Sequence, residues 1–80
     1  MTASAHRFPI GTQYTPRGLR HPRVCTVVDQ LTTTNSAGQV VARTYVTTHV
    51  FCGQVVTERG VVDTTIARGL LPAFAHLLGA

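Results

Sequence analysis

The stretch Val24–Phe51 reads VCTVVDQLTTTNSAGQVVARTYVTTHVF, and two runs of Val and Thr in it flank Asn35-Ser36-Ala37-Gly38. Val and Thr are branched at Cβ, stiff at χ1, and suited to a pleated, half-buried surface. Asn and Gly tolerate the positive φ angles that a hairpin turn demands. The spacing predicts a long β-hairpin over residues 24–51, with strands Val24–Thr34 and Gln39–Phe51 closed by a four-residue turn.

A register follows if Thr34 faces Gln39. Side chains alternate along each strand, so one face then carries Cys25, Val27, Leu31, Val40, Ala42, Val46 and Val50, and reads as core. The other face sets Gln30 beside Arg43, Val28 beside Tyr45, Thr26 beside Thr47 and Val24 beside His49. That second face reads as a solvent surface with a basic and aromatic stripe.

Outward from the hairpin the pattern weakens. Gly53 permits a sharp bend, and Gln54-Val55-Val56-Thr57 returns as a third strand. Glu58-Arg59-Gly60 reads as a turn into Val61-Val62. Asp63 suits a helix N-cap and Gly69 the position after the last turn, which predicts a short helix between them. In the final segment Pro72 fits a first helical position and Gly79 an end. Phe74, Leu77 and Leu78 fall on one stripe, so residues 63–79 form a helical C-terminal segment that lids its own sheet or packs on a second copy. On the N-terminal side, Gly11–Thr15 suits a short edge strand stopped by Pro16, and residues 1–11 carry no periodicity and read as flexible.

The chain of 80 residues is read as a single domain, mainly β (α+β): a small antiparallel sheet of three to five strands built on the hairpin, with a short C-terminal helix. A chain this short buries only about 60–65% of its unfolded surface, so a homodimer is an open possibility beside the monomer. Hydrophobic residues make up 44% and charged residues 12%, about half the ordinary charged share, which excludes a charged disordered tail. Neither a signal-peptide pattern at the N-terminus nor an apolar run of about 18 residues is present, so the expectation is a cytoplasmic protein that does not enter a membrane.

The net charge is +4, all seven strong cations are Arg, and the acids are Asp29, Glu58 and Asp63. Arg offers a planar fork of donors for carboxylate or phosphate, although GC-rich codon usage produces the same bias. Arg7, Arg17, Arg20 and Arg23 precede the first acid, and such a basic end draws nucleic acid or an acidic protein surface. It serves equally as a solubilising arm.

Catalytic chemistry finds little support. The three acids are far apart, Ser4 and Ser36 lie in no nucleophile elbow, and the glycines sit singly at turns. His21, Cys25, His49 and Cys52 are the donor types zinc takes, but the register sets His49 on the face opposite Cys25. The same register leaves Cys25 and Cys52 about 13 Å apart, beyond disulfide reach. No enzyme, metal or cofactor is expected, and His6 and His76 read as exposed bystanders. A nucleic-acid reading rests on Arg7, Arg17, Arg20, Arg23 and Arg43, with Tyr14, Tyr45 and Phe51 as stacking platforms.

Val27-Val28-Asp29 through Gly38, Arg43-Thr44-Tyr45-Val46, His49-Val50-Phe51, Gly53-Gln54-Val55-Val56 and Thr64–Gly69 together resemble short open reading frames of bacteriophages and other mobile elements. In length and style the chain is similar to the small anti-CRISPR proteins, those acting on a type I system such as type I-C. That family is defined by activity and shares no motif, so no site residue carries over from it. The resemblance implies a non-enzymatic inhibitor in the bacterial host cytoplasm that binds the crRNA-guided surveillance complex (Cascade) and blocks target DNA. Many such inhibitors are acidic, whereas this chain is basic, which favours a steric plug over DNA mimicry. The residues expected to touch the protein or ribonucleoprotein partner are Arg17, Arg20, Arg23, Arg43, Tyr45 and His49, since Arg and Tyr often dominate interface energetics. The alternative is a small basic DNA- or RNA-binding module using the same face. In the bland reading, Tyr45 and Phe51 are simply core residues.

Overall fold

The computed structural model describes residues 6–18 and 20–79. Four strands form one antiparallel sheet in the order β1-β2-β3-β4: β1 Gln13–Tyr14, β2 Cys25–Thr34, β3 Val40–Phe51 and β4 Gln54–Val61. A short helix, α1 (Asp63–Gly69), and a 3-10 helix over Pro72–Leu77 follow. The fold is the small, mainly β architecture with a C-terminal helix that the hairpin predicts.

The expected register is corrected by one residue. Thr34 pairs with Val40 rather than Gln39, because the connection holds five residues instead of four. Asn35 fixes that length: its backbone N donates to the Gln39 carbonyl at 2.9 Å, and its Oδ1 accepts from the backbone N of Ala37 at 2.9 Å and of Gln39 at 3.0 Å. An Asx side chain that bonds its own turn in this way competes with the ladder for those groups. Two bulges then interrupt the pairing, with Val41 extra on β3 and Val28 extra on β2. Lying on opposite strands, they cancel, and the one-residue offset persists to the far end, where Thr26 faces Thr48 and Val27 faces Thr47.

A one-residue slip carries side chains to the other face. Tyr45, Thr47 and His49, expected on the surface stripe, are buried with Cys25 and Val27, while Val50 and Val55 stand 65% and 70% exposed on the uncovered face. Tyr45 and Phe8 remove more apolar area from water than the valines they displace, which favours this register. Thr26, Thr48 and Thr57 form a cross-strand row. Thr48 neighbours the buried Thr47 on the pleat, so that row belongs to the open face.

Two turns were placed differently in quality. Cys52 and Gly53, at φ 52° and 77°, make a two-residue turn between Phe51 and Gln54, the bend expected at Gly53. Both φ angles are positive, as in the type I′ turn that matches strand twist. Glu58-Arg59-Gly60, by contrast, is no turn: β4 runs through it, and Gly60 at φ 77° sits in a bulge between the pairs Thr47–Glu58 and Tyr45–Val61. Positive φ serves a bulge as well as a turn.

The helical layer covers the face bearing Tyr45. Phe8, Tyr14, Cys25, Val27, Tyr45 and Ile66 are the buried core, with Val61, Ala67, Leu70 and Leu77 packed against it. The molecule is 20 Å through its shortest dimension, the thickness of two layers about 10 Å each. Asp63, expected as N-cap, is the first helical residue and follows Val62, and Gly69 is the last. At Gly69 the Thr15 backbone passes so close that a Cβ would collide with its carbonyl oxygen.

The reading of residues 1–11 as flexible is also corrected where they are described, residues 1–5 lying outside that range. Phe8 is fully buried with its ring centroid 6.0 Å from that of Tyr45. Gly11 N donates to the Val27 carbonyl at 2.8 Å. His6 is no bystander: its Nε2 lies 2.8 Å from the Leu31 carbonyl and 3.1 Å from that of Thr44, and its ring stands edge-on to Tyr45. Apolar periodicity cannot register a single anchoring Phe.

Candidate functional site

The six residues expected at a partner surface do not share one. Tyr45 and His49 are interior. The Tyr45 hydroxyl donates to Asp63 Oδ1 at 2.5 Å and accepts from Phe8 N at 3.3 Å, so it ties the sheet to the start of α1 and to the N-terminal segment. Burial, reinforced by the bond to Asp63, pushes its pKa up to about 12. Arg43 is half-buried on β3 opposite Thr32, and Arg23 is half-buried just before β2. Of the six, only Arg17 and Arg20 are exposed.

A basic surface does form around those two. Arg17 reaches from the loop after β1 to the end of α1, where its Nε donates to the Arg68 carbonyl at 2.7 Å. Arg17 and Arg68 border an open cleft with Pro16, Gly18 and Pro22, and Arg20 is exposed in the chain between Gly18 and Pro22. Arg68, outside the basic N-terminal segment, occupies the last turn of α1, which faces β1. A cation there also complements the negative end of the helix dipole.

The three acids have their nearest polar neighbours away from the arginine cleft. Asp29 accepts from Gln30 N at 2.8 Å, Asp63 accepts from Tyr45, and Glu58 Oε1 lies 3.9 Å from His49 Nδ1. Among the described residues no carboxylate reaches Arg17, Arg20 or Arg68, so their positive field is directed outward.

The second cluster lies on the covered face. Cys25 on β2, His49 on β3 and Glu58 on β4 bring one donor atom each to within 4.8 Å of the others. The observed register puts His49 on the same buried face as Cys25. The rest of the sequence set is not assembled, since His21 is exposed and Cys52 is exposed in the β3–β4 turn. Glu58 was missed because it was placed in a turn; its pairing with Thr47 sets it diagonally beside His49.

The His49 side chain is 3% exposed, and its Nδ1 is buried with no hydrogen-bond partner among the described residues. At 3.9 Å Glu58 is too distant to serve as one. Such an orphan costs about 1–3 kcal/mol. Burial pushes the Cys25 thiol up in pKa, partly offset by hydrogen bonding from Tyr14 and by the nearby Arg23 guanidinium. A fully buried thiol held protonated is a poor nucleophile. Tyr14, whose hydroxyl donates to Thr47 Oγ1 at 3.1 Å, is likewise pushed up to about 12 by burial.

Comparison with protein-family models, with curated proteins and with solved structures finds no match to this chain.

Proposed function

We propose that this chain is a non-enzymatic binding protein that sets its arginine surface against a protein or ribonucleoprotein assembly and blocks it sterically. The specific form of the proposal is anti-CRISPR-like inhibition, in the bacterial cytoplasm, of target DNA binding by a type I surveillance complex. The observation that carries the binding reading is the pair Arg17 and Arg68, exposed at an open cleft with Arg20 exposed in the adjoining loop, and with no carboxylate among the described residues in salt-bridge reach of the three. Uncompensated cations steer and orient an anionic partner surface, and Arg is enriched where such contacts dominate.

Direct single-strand binding is the second reading, and two features weigh against it. Tyr14 and Tyr45, its intended stacking platforms, are buried. Phe51, which is exposed, sits at the β3–β4 turn and not beside the arginine cleft. Base stacking supplies about 1–3 kcal/mol per base in such proteins, so cations without platforms leave a weak, salt-sensitive contact.

Fluorescence anisotropy of labelled single- and double-stranded DNA, titrated at low and at physiological salt, separates the readings. The proposal expects binding at low salt alone. Micromolar binding that persists at physiological salt with a steep salt slope overturns it in favour of a nucleic-acid module.

A further inference from the structure

Three adjacent strands of one sheet deliver a thiol, an imidazole and a carboxylate to a single point on the covered face. Cys25 is fully buried, the His49 side chain is 3% exposed, and the Glu58 side chain is 43% exposed. Their donor atoms lie within 4.8 Å of one another. His49 Nδ1, the atom turned toward Glu58, is the buried nitrogen with no hydrogen-bond partner among the described residues.

Bond lengths to zinc of about 2.0–2.3 Å set tetrahedral ligand atoms roughly 3.3–3.6 Å apart. The 3.9 Å between His49 Nδ1 and Glu58 Oε1 is longer than a hydrogen bond and about half an ångström longer than a shared zinc ion requires. Binding draws the three donors together, and Glu58, 43% exposed, is the one with room to move.

We propose that Cys25, His49 and Glu58 form a binding site for a borderline-soft divalent cation of the zinc type, with solvent as fourth ligand. This site goes beyond the binding function above and does not rest on it. The mixed sulfur, nitrogen and oxygen set disfavours magnesium and calcium, which take oxygen ligands. Glu58, the one donor with access to solvent, borders a cleft of about 300 Å³ together with Tyr14, Arg23 and Thr65. As the metal–sulfur bond forms, the Cys25 proton passes to solvent; His49 binds through Nδ1 as neutral imidazole, and no electron is transferred. Thiolate and carboxylate then carry two negative charges against the cation's two positive. Arg23 beside Cys25 favours the thiolate while repelling the ion, which makes the site weaker than a closed four-ligand centre.

The test is titration of the reduced, full-length chain with Co²⁺ followed by displacement with Zn²⁺. The expected result is one equivalent of Co²⁺ with a thiolate charge-transfer band and tetrahedral visible bands, all lost on adding Zn²⁺. Cys25→Ser removes the charge-transfer band, Glu58→Gln weakens binding at least tenfold, and Cys52→Ser leaves both unchanged. Circular dichroism monitors folding; should the buried Cys25→Ser variant unfold, the exposed Glu58→Gln variant decides. Absence of the band at excess Co²⁺ overturns the proposal, as does binding that Glu58→Gln leaves intact or that Cys52→Ser abolishes.

Discussion

Gly69 and Tyr45 show how single residues set this fold. At Gly69 the opposing effects are separable in magnitude. Alanine there gains about 1 kcal/mol of helix propensity. Its Cβ, however, meets the Thr15 carbonyl, and that backbone is held in place by the bond from Thr15 N to Gly69 O at 2.8 Å and cannot retreat cheaply. Overpacking against backbone costs about 1–3 kcal/mol or more. Gly69→Ala is therefore expected to lower the urea midpoint, and an unchanged or higher midpoint counts against the close approach. Tyr45 joins three segments through one hydroxyl, and Tyr45→Phe strands the Asp63 carboxylate at a cost of about 1–3 kcal/mol. Its folded pKa of about 12 lies above the ordinary value of 10.0. The resulting stability is fully present below pH 10 and is lost as pH rises through 12. Melting temperature should thus fall steeply over that alkaline window, and less steeply in Tyr45→Phe, with Tyr14 supplying the remaining slope.

The β3–β4 hairpin turns on Cys52, a non-glycine residue held at φ 52°. Asparagine tolerates that conformation better, and Asn-Gly is the favoured pair for a type I′ turn. Cys52→Asn is expected to raise stability by about 0.5–1 kcal/mol, read as a higher urea midpoint at constant m-value. The two thiols differ in the same element-level way, Cys52 being exposed and Cys25 buried. A thiol reagent should label one cysteine rapidly in the native chain and the second only on unfolding; rapid labelling of both contradicts the packing of β2. The hairpin itself was legible in the sequence, because Val and Thr runs around Asn35–Gly38 admit little else. Helix α1 was legible to within a residue from Asp63 and Gly69. The register was not, since a five-residue Asx-closed loop and the bulges at Val28 and Val41 leave no mark in residue periodicity. The site went with it. His49 joins Cys25 only after the one-residue shift, and Glu58 joins both only because Gly60 bulges within a strand instead of turning between two.

Across the whole molecule, one side of the sheet is committed to packing and charge is segregated. Asp63 is tied to Tyr45 within the fold, whereas Arg17 and Arg68 border one cleft and Arg20 is exposed in the adjoining loop. No helix among the described residues is long and apolar enough to cross a membrane. A metal held between β2, β3 and β4 would brace the centre of the sheet without touching the arginine surface. Saturating zinc at about 100 times its dissociation constant should then raise stability by about 2.7 kcal/mol while leaving partner binding unaltered. The arginine surface is tested by loading of target DNA onto a purified type I surveillance complex with the chain added in increasing ratio. Loading is expected to fall to background near stoichiometric addition, and the double charge reversal Arg17→Glu with Arg68→Glu to weaken inhibition at least tenfold, the loss of about 1.4 kcal/mol typical of an interface anchor. Loading that is unchanged at large excess of the folded chain would contradict it.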